Sequence, residues 1–192
     1  MSGHQVVLVR HGQTEWSLSG QHTGTTDMPL TDEGRRHAEA LGGRLSAWSF
    51  ARVLTSPLSR AADTCRLAGL GDHADVTDDL REWDYGAYEG RRTADIREER
   101  PGWGVWKDGV PDGETVDELG LRADRVIEAA RSAGGDVALF AHGHILRVMG
   151  ARWIGLPPDH GALLALSTAS ISVLGWERET AVIERWNETA AH

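Results

Sequence analysis

The sequence predicts a three-layer α/β fold with a mostly parallel central sheet, and three observations carry that prediction. Two short apolar runs, Val6-Val7-Leu8-Val9 and Val137-Ala138-Leu139-Phe140, read as strands buried on both faces. Each run leads into a histidine followed by glycine, His11-Gly12 and His142-Gly143. Between them, helical patterns alternate with strand-like runs, the order that builds parallel βαβ units. Open α/β sheets bind ligands outside the carboxyl ends of their strands. His11 and His142 are therefore expected to face each other across one crevice.

Taken in order, residues 13–29 are rich in Thr, Gly and Ser and read as a long polar loop. Thr31 is the expected cap of a helix, with Asp32 and Glu33 where the helix dipole favours negative charge. Ala38, Leu41 and Leu45 form its apolar face. Arg52-Val53-Leu54-Thr55 reads as a second strand. Ser56-Pro57 is expected to open the next helix, serine as cap and proline in the first turn. Ala61, Ala62, Cys65 and Ala68 give that helix a buried side and place Arg60 in its first turn. Ala74 to Thr77 is a weaker strand, and Leu80 to Gly86 a loop. Residues 91–112, with Trp103 and Trp106, read as an insertion covering the crevice, with a helix near Thr93 to Arg100. Thr115 caps an amphipathic helix that turns Val116, Leu119, Ala123, Val126, Ile127 and Ala130 inward, and Gly134-Gly135 ends it. After His142 a helix runs from about His144 to Ile154. Ile171 and Val173 then alternate with Ser170 and Ser172. A turn near Glu177 to Thr180 and a strand at Val182 to Trp186 suggest a hairpin. The whole, residues 1–192, is expected to be one domain.

Composition narrows the function. The chain has 192 residues and a net charge of −9, which argues against nucleic acid and anionic membrane as main partners. A local basic pocket would still attract a small anion. Cys65 is the only cysteine, so no internal disulfide forms and a reducing, cytoplasmic location is expected. The apolar run at Val6 is too short for a signal sequence, and no stretch reaches the length of a membrane span.

Four basic side chains fall at strand ends or in the turns after them: Arg10, His11, Arg60 and His142. Glu82 lies in a loop within reach. Phosphoryl transfer needs such a set. An imidazole can attack phosphorus, and its other nitrogen then needs an acceptor such as a backbone carbonyl. Arginines can hold phosphate oxygens in bidentate fashion. A carboxylic acid can protonate the leaving oxygen and then deprotonate water. Preorganised positive charge makes a metal or other cofactor unnecessary. Each residue alone has a bland reading: a structural histidine, a solvated loop carboxylate, a turn glycine. His142-Gly143-His144 resembles a metal pair but has no carboxylate or cysteine cluster beside it.

Together, Arg10-His11-Gly12, Thr23-Gly24, Ser56-Pro57-Leu58-Ser59-Arg60-Ala61, Glu82 before Tyr85-Gly86, and Ala141-His142-Gly143 resemble the histidine phosphatase superfamily, in its phosphoglycerate mutase-like branch. The resemblance implies that His11 is the phosphorylated nucleophile. Arg10, Arg60 and His142 would form the phosphate pocket, and Glu82 would be the proton donor. It implies substrate contacts at Ser17, Thr23, Gly24, Tyr85 and Gly143. Gln13 to Trp16, Gln21 to Gly24 and Trp83 to Gly90 are most like small acid phosphatases and sugar-bisphosphatases. The expected partner is a small phosphorylated metabolite, and the family resemblance suggests a homodimer. A cofactor-dependent phosphoglycerate mutase is the main rival, with Arg91, Arg92 and Arg97 available for a substrate carboxylate. A non-catalytic phosphate-binding scaffold is the other.

Overall fold

A computed structural model describes residues 3–189. Strand β1 (Val6–Arg10) leads into helix α1 (Glu15–Ser19) and helix α2 (Asp32–Leu45). Then come β2 (Arg52–Thr55), α3 (Ser59–Leu67), β3 (Ala74–Val76), α4 (Thr93–Glu99), α5 (Val105–Asp108) and α6 (Val116–Arg131). The chain closes with β4 (Val137–Ala141), α7 (Gly143–Trp153), β5 (Ile171–Glu177) and β6 (Thr180–Glu188). The sheet has six strands in the order β3-β2-β4-β1-β5-β6. The first four strands run parallel, and β5 and β6 form an antiparallel hairpin on β1. The mostly parallel α/β sheet expected from the sequence is the one observed.

Alternate residues of the central strands feed two cores. Val6, Leu8, Leu139 and Ala141 pack with Leu119, Ala123, Ile145 and Met149 from α6 and α7. Val7, Val9 and Phe140 pack with Leu41, Leu45 and Cys65 from α2 and α3. Helices therefore cover both faces of β1 and β4, which is why these strands read as continuous apolar runs.

Local differences from the sequence reading each have a physical cause. The 13–29 loop contains α1, because Thr14 and Ser17 make a reciprocal capping box. Ser56 and Pro57 stay outside α3, whose first turn is instead held by Asp27, accepting from Ser59 N and Oγ at 2.8 Å each. Ala62 is only half-buried, and Thr64 takes the inward place. Ser170 and Ser172 do not face water. The hairpin partner and the helices cover β5 on both sides, and Ser170 Oγ donates to Ser167 O while Ser172 Oγ accepts from Asn187 N. Among the described residues no helix is long and apolar enough to cross a membrane.

The turn after β1 is set by backbone touching backbone. Thr31 N donates to Gln13 O, and Gly34 packs so closely that a Cβ there would lie 2.2 Å from that same oxygen. Gly12 meets Gly34 O in the same way. No side chain fits between, so the turn that carries His11 is pressed onto the first turn of α2. Two glycines of one helix therefore behave in opposite ways on substitution. Gly43→Ala, with open space around it, is expected to stabilise by about 0.5–1 kcal/mol through helix propensity. Gly34→Ala is expected to destabilise by roughly 2 kcal/mol or more. Urea unfolding of the two variants gives the comparison, and equal effects of the same sign would refute the close approach.

Candidate active site

Three parallel strand ends deliver the site. His11 N donates to Ala141 O at 3.0 Å and Ser56 N to Phe140 O at 3.0 Å, so the ladder continues one residue past β1 and β2. His11 and His142 emerge side by side, with ring centroids 5.2 Å apart. The His11 Nδ1 lies 2.7 Å from Gly12 O. A carbonyl only accepts, so Nδ1 carries the proton and Nε2 is left with its lone pair. Burial, then the charges of Arg10 and Arg60, hold the His11 imidazole neutral well below its ordinary range.

His142 is fixed the same way. Arg60 Nε donates to its Nδ1 at 3.1 Å, so its Nε2–H points to Ser56 Oγ at 2.8 Å. Burial and Arg60 keep this ring neutral too. Arg60 is fully buried and donates through Nη1 to Thr26 O and through Nη2 to Thr23 O and Gly24 O. Only one N–H of Nη1 remains, so Arg60 does not offer the free bidentate fork expected from the sequence. Arg10 donates through Nη1 to Leu166 O, and its Nε is buried with no partner among the described residues.

Glu82 reaches the site from the loop before Trp83. One carboxylate oxygen accepts from the N–H groups of Trp83, His144 and Ile145, and the other accepts from His144 N at 3.0 Å. The carboxylate thus sits on the N-terminus of α7, where backbone donors and helix dipole favour negative charge. Burial pushes its carboxyl up, but the His144 hydrogen bond and the nearby imidazoles outweigh it and hold it well below the usual carboxylate range. In the free protein Glu82 is therefore ionised, and a proton-donor role requires its affinity to rise when an anion arrives.

Arg10, His11 and Glu82 line a cavity of about 190 Å³ together with Ser17, His22, Thr23, Tyr85 and His144. His142 and Arg60 lie buried behind His11. The other expected contacts divide. The Tyr85 hydroxyl lies 2.7 Å from His144 Nδ1. Ser17 is on the wall, but its hydroxyl donates to Thr14 O. Gly143 lies against the Arg10 guanidinium. Gly24 faces a larger cleft of about 730 Å³ that lacks Arg10 and His11, and its N–H donates to Glu89. In this arrangement the Gly24 N–H is thus taken up by the Glu89 carboxylate. Trp16 is on the cavity wall, while Trp103 and Trp106, from the 91–112 segment, back it by packing against His22 and His144.

Three participants escaped sequence reading. Ser56 was legible only as a helix cap. Glu89 organises the 24–26 turn by accepting from Gly24 and Thr26 N. His22 packs at a tilt against Tyr85, and burial followed by His144 brings it down to about 4. Each depends on contacts remote in sequence.

A family model described as the histidine phosphatase superfamily, branch 1, matches residues 6–189. The chain is 43% identical to an acid phosphatase of Mycobacterium tuberculosis, over 94% of this chain and 92% of the relative. It is 40% identical to sedoheptulose 1,7-bisphosphatase of Saccharomyces cerevisiae, over 78% of this chain and 67% of the relative. The solved structure of an open reading frame from Mycobacterium tuberculosis superposes with a TM-score of 0.93 at 41% identity, covering 98% of this chain and 99% of that one.

Neutral buried imidazoles make stability depend on pH. His22 titrates near 4 in the fold and near 6.5 in the unfolded chain. Below about 6.5 the unfolded chain takes up a proton that the folded one refuses, so stability falls as pH drops toward 4. His22→Phe is expected to remove about 3 kcal/mol of the stability lost between pH 7 and pH 4. Urea titrations at both pH values test this; an unchanged loss would mean that the ring is free to charge in the fold.

Proposed function

The chain belongs to the histidine phosphatase superfamily, branch 1, and is a phosphatase, and we propose that it hydrolyses phosphomonoesters without a metal through a phosphohistidine on His11. The observation that carries this is the Nδ1–H of His11 donating to Gly12 O, which leaves Nε2 unprotonated on a ring that lines the cavity. Arg10, with a buried Nε that lacks a partner among the described residues, is the direct phosphate contact. Arg60 and His142 stand behind His11, where Arg60 adds positive charge and His142, its N–H held by Ser56, fixes the Arg60 guanidinium.

In the first step His11 Nε2 attacks phosphorus in line. The bond from phosphorus to the leaving oxygen breaks, and that oxygen takes a proton from Glu82. In the second step Glu82 takes a proton from water, the oxygen attacks phosphorus, and the P–N bond breaks. Inorganic phosphate leaves, and His11 is neutral again. Glu82 is ionised in the free site, but an arriving phosphate anion opposes that charge and raises its proton affinity. With its affinity raised, Glu82 takes up a proton from solvent as the substrate binds and holds it for the first step.

The mutase reading loses support from its own candidates. Arg91 is paired with Glu99, Arg92 with Asp95, and Arg97 donates to Trp103 O. Arg91 and Arg92 are thereby held by carboxylates, and Arg97 is tied by its Nε to the backbone of its own segment. The scaffold reading would leave a neutral, desolvated imidazole beside two arginines with no task.

Two outcomes follow. With p-nitrophenyl phosphate, His11→Ala is expected to lose at least about a thousandfold in kcat, and Glu82→Gln about a hundred- to ten-thousandfold. Wild type quenched in alkaline detergent should carry phosphate on His11 that survives alkali and is released by acid, and its absence, with His11→Ala as active as wild type, would remove the mechanism. The second concerns pH. Because Glu82 must be protonated when phosphate is bound, kcat should be higher at pH 5–6 than at pH 8. Loss of kcat/KM should begin at still lower pH, because the free enzyme holds Glu82 ionised. A kcat that climbs steadily into alkaline pH would reverse the assignment.

A further inference from the structure

Glu82 has to gain a proton when substrate arrives and lose it when phosphate leaves, yet its side chain is only 5% exposed. One oxygen, Oε1, already accepts from the N–H groups of Trp83, His144 and Ile145. A proton therefore settles on Oε2, whose one donor among the described residues is His144 N. The His144 ring nitrogen Nδ1 lies 3.7 Å from that oxygen, and among the described residues no other basic side chain comes within ion-pair distance of the carboxylate. The second ring nitrogen, Nε2, makes no hydrogen bond among the described residues and is not sealed from solvent. His144 lines the cavity that holds His11, and its side chain is 19% exposed. Its two nitrogens thus connect a buried carboxylate oxygen with the open cavity.

Tyr85 suits this ring to work in both directions. Its hydroxyl lies 2.7 Å from His144 Nδ1. Burial, then the charge of Glu82, hold the Tyr85 phenol well above its ordinary range, so it keeps its proton. A hydroxyl accepts from an Nδ1–H and, after a turn of its O–H, donates to a bare Nδ1. Around the ring, Glu82 favours a positive charge, while His22 opposes one. Arg10 and His11 line the same cavity, and Trp83 and Trp106 pack on the ring without charge. We propose that His144, steered by Tyr85, carries the proton between solvent and Glu82. As substrate binds, Nε2 takes a proton from solvent, the Nδ1 proton passes to Glu82 Oε2, and Tyr85 turns to donate to the bare Nδ1. As phosphate leaves, Oε2 returns the proton to Nδ1, and the Nε2 proton goes back to solvent. One proton enters and one leaves per turnover, and the ring ends as it began. A small tilt of the ring about its Tyr85 contact brings Nδ1 to Oε2. His144 acts through Glu82, so it is a positioning residue. The relay rests on the acid and base role of Glu82 proposed above and extends it.

The test measures kcat on glycerol 2-phosphate and p-nitrophenyl phosphate in wild type, His144→Gln, Tyr85→Phe and Glu82→Gln. An alkoxide needs a proton to leave far more than a nitrophenolate does. In His144→Gln, kcat on glycerol 2-phosphate should therefore fall about tenfold or more, and on p-nitrophenyl phosphate by clearly less. Tyr85→Phe should show the same imbalance in weaker form, because the ring keeps its nitrogens but loses its guide. Raising imidazole buffer at fixed pH and ionic strength should restore part of the His144→Gln rate and leave wild type unchanged, because a soluble base then carries the proton. Two results overturn the relay. One is wild-type kcat on both substrates in both variants. The other is a loss in His144→Gln that imidazole does not relieve, which would leave the ring only as a support for the Glu82 carboxylate. Full activity of Glu82→Gln would instead sink the acid and base assignment itself, whereas an inactive Glu82→Gln beside an unaffected His144→Gln would remove the relay alone.

Discussion

The parallel ladder between β1 and β4 sets the relation between the two histidines. Arg10 pairs with Ala141, so His11 and His142 are the next residue of each strand and leave the sheet at the same edge. Side chains alternate faces along a strand, and a slip of one residue would send one ring to the opposite face. It would also push Val7 and Val9 into the core shaped for Val6 and Leu8, and the packing of both cores would be lost. The hydrophobic cost of that error protects the register, and the register in turn protects the site. β2 joins the same edge and brings Ser56 under His142.

Desolvation then turns this geometry into reactivity. An imidazole in water near neutral pH is partly protonated, and a protonated ring is no nucleophile. Here burial and two arginines act in the same direction, so His11 stays neutral while Gly12 O chooses which nitrogen holds the proton. The protein as a whole is acidic, at −9, but among the described residues lining the cavity Glu82 is the only carboxylate that opposes the cations. That carboxylate is itself stabilised by the N-terminus of α7, so the negative group does not collapse onto Arg10. The arrangement keeps cations and base apart until an anion comes between them.

The loops depend on the same charges. Arg60 holds the carbonyls of Thr23, Gly24 and Thr26, while Glu89 holds the N–H groups of Gly24 and Thr26 from the other side. Asp27 caps α3 just before Arg60. The 23–27 turn is thus fastened at both its donors and its acceptors, which explains how a stretch rich in Thr and Gly becomes a firm wall. The tryptophans of the 91–112 segment support that wall from behind through ring contacts with His22 and His144.

Much of this was legible in the chain itself. Apolar runs of strand length, helix caps at Thr31 and Thr115, and two His-Gly pairs determine an α/β sheet and the edge where its chemistry gathers, because burial period and backbone capping are local properties. Residue type limits what His11, Glu82 and the arginines can do. Only the folded chain decided which of their atoms are free. Arg60 turned its hydrogens to loop carbonyls, Ser56 left its helix to serve His142, and Gly24 turned its N–H to Glu89. Such choices depend on partners tens of residues away, and no local pattern encodes the competition among donors and acceptors that tertiary packing resolves.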